Sequence, residues 1–380
     1  MNLQYKNPIL VLVLFLFVSF SYGQQKIDSL FKKIGKSGND KEKSELFLEV
    51  AELYKNRSPE KSFDYVQKAL NFIRITEDPV MLLDAYALQA QYYWAKTDSG
   101  NLARYIDSIR QLSEKIENTY GLGKYNYFQG LYWIDRDSLD IARNYLNRSV
   151  QLFSNTNSVE GLADSYFRIG IIHWRNHLYD SSLVYYSHAR QLYKKTDDKM
   201  NLAKMSRHKG IVYKRKGEYS RALKEYYQSE QIYESLGEKK EAAEVLGNIG
   251  SLHLKLENYG RALESYNKSL HIFREMGVKR PVAYRLNSIG NVYMELDSLD
   301  KARNNYINAL KIYNEQNFTI GIGEVKTDLA ILDYKEGNYE LSIELLNEAK
   351  EIFSNKNYMV GLTTVNHYLT KNYTGLKEYD

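Results

Sequence analysis

The sequence predicts an all-α solenoid, a stack of tandem helix-turn-helix units, and three observations predict it. First, one pattern returns after 40 positions without insertion or deletion. Leu246, Gly250, His253, Tyr259, Ala262, Tyr266, Ser269 and Leu270 become Leu286, Gly290, Tyr293, Leu299, Ala302, Tyr306, Ala309 and Leu310. Forty residues earlier the frame holds Gly210, Tyr213, Tyr219, Ala222, Tyr226 and Ser229, and a fixed period of this kind marks a repeat architecture. Second, Val245, Leu246, Ile249, Leu252 and Leu256 fall three or four positions apart, which is one face of a helix. Third, the 380 residues include 35 tyrosines, four prolines and no cysteine. That composition fits stacked helices better than a sandwich or barrel, and it leaves no disulfide to hold the chain.

Taken in order, the chain opens with a separate object. Lys6 precedes an apolar run from Ile9 to Phe20 broken only by Ser19, and Ser21-Tyr22-Gly23 offers small residues at the positions a signal peptidase reads. Residues 1–23 are therefore expected to be a secretory signal peptide cleaved near Gly23. The run is short against the roughly 20 residues that a bilayer span needs, and no later segment is apolar enough to be one. Residues 24–42, with Leu30, Phe31 and Ile34 on one side, are expected to form an N-terminal cap helix.

Eight repeats of about 40 residues are expected over 43–362, and 363–380 forms a half repeat or C-terminal cap. In the first repeat Ser58-Pro59-Glu60 is a helix-start signal, with Ser capping, Pro in the first turn and Glu favouring the dipole. Within each unit a small residue such as Gly250 or Ala262 stands where two helices approach, and Tyr259 and Tyr266 fill the space left. Neither helix can bury its stripe alone, so neighbouring units must stack. Gly121, Gly161, Asn201, Gly321 and Gly361 recur at multiples of 40 and read as left-handed residues that end helices.

These offsets resemble the tetratricopeptide repeat, in its longer 40-residue subclass and its exported bacterial type. The small residue at position 8, the aromatic at 11, Tyr or Leu at 17, and the small, aromatic and small residues at 20, 24 and 27 carry the resemblance. It implies a right-handed superhelix whose first helices line a concave groove.

Most chemistry is excluded. His173 and His177 have the HxxxH spacing of zinc ligands, but no Glu follows His173, no cysteine assists, and position 11 is a packing site in other repeats. Gly121-Leu122-Gly123 and Gly321-Ile322-Gly323 lack the preceding strand and the third glycine that a phosphate loop needs. No nucleophile elbow, paired-carboxylate pocket or dinucleotide fingerprint occurs. The expectation is a non-enzymatic protein with no catalytic residue, no metal and no cofactor.

The resemblance places groove-facing side chains at positions 2, 5, 6, 9, 12 and 13. There Asn248, Asn287 and Asn291 could hydrogen-bond the backbone of an extended peptide. The family's carboxylate clamp is incomplete, since Arg207 supplies the position-5 charge but Ile211 stands at position 9. The richest local signal is charge. Eight Lys or Arg lie between Lys204 and Lys224 against one acid, Glu218, in a chain of net charge only +5. The register puts Lys204, Arg207, His208 and Arg215 on the concave side, joined by Arg168 and Arg175. Gathered basic charge attracts an oppositely charged ligand, here an acidic peptide or protein segment rather than nucleic acid; the plainer alternative is a solvated basic face partly neutralised by Asp164 and Glu244. The expected function is a protein-binding scaffold outside the cytoplasm, periplasmic or secreted. The alternative is the extracytoplasmic sensor region of a longer histidine kinase or membrane-bound transcription regulator.

Overall fold

The computed structural model describes residues 22–379. The expected signal peptide lies outside the described residues apart from its last two positions. Among the described residues there are eighteen α-helices and no strand, and the fold is an all-α solenoid of helix-turn-helix repeats. None of these helices is long and apolar enough to cross a membrane.

The chain forms two compact units, one up to Gly237 and one from Glu238. In the first, α1 (Tyr22–Lys36) precedes five helix pairs. These are α2 (Asp40–Tyr54) with α3 (Pro59–Thr76), α4 (Pro79–Ala95) with α5 (Ser99–Lys115), α6 (Thr119–Ile134) with α7 (Leu139–Asn155), α8 (Val159–Arg175) with α9 (Tyr179–Lys195), and α10 (Lys199–Arg215) with α11 (Tyr219–Ser235). The second unit pairs α12 (Lys239–Lys255) with α13 (Tyr259–Glu275), α14 (Lys279–Glu295) with α15 (Leu299–Glu315), and α16 (Thr319–Lys335) with α17 (Tyr339–Asn355), and adds α18 (Met359–Tyr379). From α4 to α17 every helix but α6 has 17 residues, and α6 has 16.

The joints set this cadence. Left-handed residues recur every 20 positions, as Glu77, Thr97, Glu117, Asp137, Asn157, His177, Asp197, Gly217 and Gly237 in the first unit. In the second they are Glu257, Gly277, Asp297, Asn317, Gly337 and Asn357. Each follows the end of one helix, and the next residue takes the N-cap position of the following one, where Asp78, Asp98, Asn118 and Asp198 make side-chain capping bonds. Asp78 accepts from the backbone N–H of Val80 and Met81, and Asn118 from that of Gly121 at 2.7 Å. Ser58 holds the N-cap position before Pro59, but its hydroxyl makes no capping bond.

The recurring glycines at 121, 161, 321 and 361, with Asn201, are therefore not the helix-ending residues that their period suggested. Each is the third residue of the following helix. Smallness is needed there because a Cβ on Gly161 would lie 2.7 Å from the Phe153 ring, and one on Gly361 2.6 Å from Phe353.

Inside four successive pairs, from α8–α9 to α14–α15, a glycine faces a tyrosine 16 residues later. A Cβ on Gly170, Gly210, Gly250 or Gly290 would fall 2.5–2.7 Å from the ring of Tyr186, Tyr226, Tyr266 or Tyr306. All four tyrosines are buried, so the glycines let the helices close on large rings. Small hydroxyls complete the seam. Ser182 donates to the Gly170 carbonyl at 2.9 Å, Ser229 to Ala203 at 2.8 Å and Ser269 to Ala243 at 2.6 Å.

Candidate binding groove

In the first unit, α2, α4, α6 and α8, the leading helices of successive pairs, line one cavity of about 320 Å³, with Phe153 from α7 at its wall. Lys55 stands just past the end of α2 and forms ion pairs with Glu52 and, at 2.9 Å, with Glu160 on α8. Burial alone would depress the Lys55 ammonium, but Glu52, Glu160 and Asp164 outweigh it and hold it well above the ordinary lysine range. Lys124 on α6 meets Asp84 on α4 at 3.4 Å.

Next to this cavity α8 and α10 bring basic groups together. The Arg168 Nε donates to the Tyr127 hydroxyl at 3.2 Å, and its guanidinium lies 4.7 Å from the Trp94 ring centre. The Lys204 ammonium sits 4.8 Å over Phe167, whose ring also packs edge-on against His208 at 4.9 Å. The Arg207 Nε is buried and has no hydrogen-bond acceptor among the described residues. Burial, with Arg168, Arg207 and Lys55 nearby, lowers Lys204 to about 7 against the opposing pull of Asp164. Burial and then Arg207, Lys204 and Arg168 push the His208 imidazole well below its ordinary range. The carboxylate facing Lys204, Asp164, accepts a hydrogen bond from the Tyr193 hydroxyl. Basic groups thus outnumber the carboxylates around Lys204.

Of the basic residues read from the sequence, Arg168, Lys204, Arg207 and His208 thus come together. Arg175 and Arg215 do not join them. Arg175 donates to the Ile134 carbonyl at 2.9 Å and pairs with Asp137 at 3.0 Å, capping the end of α6. Arg215 is the last residue of α10 and is exposed. Three more members of the basic run are neutralised elsewhere: Lys209 by Glu225 at 2.6 Å, Lys216 by Asp180 and Glu218, and Arg221 by Glu218 at 2.7 Å. Glu244 does not neutralise this cluster either, because it pairs with Arg285 at 3.0 Å within the second unit.

The asparagines belong to the second unit. Asn287 donates to Asp328 at 2.8 Å, its own oxygen buried without a donor, and Asn291 accepts from the Tyr306 hydroxyl at 2.6 Å. Asn248 is half-buried on α12. Asn291, Tyr306 and Asp328 line a cavity of about 460 Å³ together with Tyr259, Glu295 and Tyr368. Asp328 is pushed up to about 7 by burial and by Glu324, against the hydrogen bond from Asn287. Nothing in the sequence pattern pointed to Asp328, Lys55 or Tyr127. His173 stacks on Tyr185 at 4.9 Å and His177 contacts the Tyr179 hydroxyl at 3.2 Å, so each ring is engaged in packing.

Comparison with known proteins adds the following. The family model of the soluble NSF attachment protein, SNAP, matches residues 208–374. No curated protein sequence matches the chain. Among solved structures, a Rap protein complexed with competence and sporulation factor is similar over 89% of this chain and all of its own, at 14% identity and a TM-score of 0.58. Cut9 in the APC/C hetero-tetramer Cut9–Hcn1 is similar over 90% of this chain and 58% of its own, at 14% identity and 0.62. The apo quorum sensor NprR from B. thuringiensis is similar over 82% and 94%, at 16% identity and 0.54. At this identity the likeness establishes the fold.

Proposed function

We propose that the protein is a non-enzymatic scaffold, exported after loss of residues 1–23, that binds an acidic segment of a peptide or protein partner in the groove of its first unit. The observation that carries this reading is the under-compensated cluster of Arg168, Lys204 and Arg207. A buried Arg207 Nε without an acceptor and an ammonium driven toward neutrality by its neighbours both gain from an incoming carboxylate. Aromatic rings at Trp94, Phe167 and Tyr127 flank the charges and offer apolar surface to the ligand's stems. The similar Rap structure carries competence and sporulation factor, which supports a groove of this architecture as a ligand site. Similarity to a quorum sensor favours, as a second reading, a sensor region within a longer signalling protein. A coding sequence that continues past Asp380 into an apolar span and an output domain would identify that case.

The test uses a fluorescent hexaglutamate peptide titrated with the purified protein. Binding is expected to weaken as salt rises. Lys204→Gln with Arg207→Gln is expected to weaken it by roughly 30-fold or more with the helical circular dichroism of the folded chain retained. Equal affinity of the double variant and the parent, or stronger binding of an oligonucleotide than of the peptide, refutes the reading.

A further inference from the structure

In a solenoid each repeat touches only its neighbours, and the hydrogen bonds here follow that rule. Lys96 reaches Glu60 across 36 residues, and Arg285 reaches Glu244 across 41. Lys55 to Glu160 is of another kind. It joins residues 105 positions apart, from the first helix pair to the fourth, so it crosses the inner face rather than following the stack. The extensive contacts between helices all join neighbours in sequence or next but one, and the pair therefore clasps two elements, α2 and α8, that do not pack extensively on each other.

The clasp also sits at the edge of the anion site. Lys55 is close enough to the basic cluster to add to the repulsion felt by Lys204, and Asp164 acts on both ammonium groups. Glu160 and Asp164 lie four positions apart on one face of α8, followed four positions later by Arg168. Both partners of the clasp keep contact with solvent, Lys55 at 21% and Glu160 at 54% side-chain exposure, so a ligand can reach them.

We infer that Lys55 is a further ligand-binding residue of the groove, masked in the free protein by Glu160. An acidic segment docked on Arg168, Lys204 and Arg207 takes Lys55 with its next carboxylate, and the exchange releases α8 from α2. Glu160 is then an internal competitor whose carboxylate occupies the place of the ligand's. The inference rests on the acidic-segment reading above, and it adds a cost that the ligand must overcome and a motion that reports its arrival.

The absence of cysteine makes the test direct. Asn56→Cys and Asn155→Cys, both exposed, carry spin labels on either side of the clasp, and hexaglutamate is the probe. Glu160→Gln is expected to tighten probe binding by roughly fivefold and to lengthen the distance between labels in the free protein. Lys55→Met is expected to lengthen that distance equally but to weaken probe binding. The two variants thus share one structural effect and have opposite effects on affinity, which a merely stabilising ion pair would not produce. Added hexaglutamate should lengthen the distance in the parent. If the probe binds the parent and responds to Lys204→Gln with Arg207→Gln, yet both clasp variants bind like the parent, the groove reading stands and the clasp inference falls. Weakened hexalysine binding by Glu160→Gln with hexaglutamate unaffected makes the cavity a cation site and overturns the inference. A parent that binds no hexaglutamate overturns both.

Discussion

Gly250→Ala should destabilise the second unit although alanine is the better helix former. The added Cβ would lie 2.7 Å from Cδ1 of Tyr266, well inside contact distance, and that ring is 3% exposed with nowhere to retreat. Overpacking of this kind costs about 1–3 kcal/mol, and the lost glycine entropy returns about 0.5–1 kcal/mol. From the middle of the two ranges the net loss is about 1 kcal/mol, or roughly 3 °C in the melting temperature of a unit of this size. Gly260 supplies the control, since nothing lies within 4 Å of a Cβ placed there, and Gly260→Ala should be neutral or slightly stabilising. The chain itself shows the remedy: where the glycine position holds Ala90 or Ala330, the tyrosine position holds Ile106 or Leu346. Gly250→Ala with Tyr266→Leu should therefore lose less than the sum of its parts, by about 1 kcal/mol or more. Melting followed by helical circular dichroism reads all four variants. Additive losses, or a Gly250→Ala protein as stable as the parent, would refute the packing argument.

Two further predictions concern pH. Asp328 titrates at about 7 when folded against 3.8 ordinarily, so between those values the folded chain holds a proton that the unfolded chain releases. Stability from this group falls as pH rises from about 4 to about 7; Asp328→Asn should melt higher than the parent at pH 8, with the gain gone near pH 4. Lys204 titrates at about 7 against 10.5, and here the unfolded chain is the one that keeps its proton in between. Its penalty is full below pH 7 and fades toward pH 10.5, so Lys204→Met should raise the melting temperature most at pH 6–7 and least near pH 10.

The repeat made the architecture legible, because four successive pairs share one glycine–tyrosine contact and the remaining pairs keep its spacing with other residues. Glycine misled at the joints because it serves two needs. The period of Gly121 and Gly161 reflected close packing, while left-handed positions such as Asp137, Asn157 and His177 went unnoticed among ordinary polar residues. Helical register found Arg168, Lys204, Arg207 and His208. It failed at Arg215, which at 100° per residue lies about 80° round the helix from Arg207. It failed differently at Arg175, two turns along from Arg168, where the side chain reaches a neighbouring carbonyl. A consistent offset was present but unread: Arg168 to Tyr127, Arg175 to Ile134, Arg285 to Glu244, Asn287 to Asp328 and Lys335 to Met294 each span 41 residues, one more than the repeat. Lys55 and Glu160 had no such rule, because their meeting depends on the curl accumulated over three repeats.

The 20-residue cadence of the left-handed joints limits how this chain can change in length. Within a unit, losing or duplicating 40 residues returns every helix to an equivalent partner, so a gene can be shortened or lengthened by whole pairs. A change of 20 keeps every helix and every joint intact, yet it presents tyrosine-bearing helices where glycine-bearing ones belong. Insertions of either size look alike to local secondary structure, and only the glycine–tyrosine seam tells them apart.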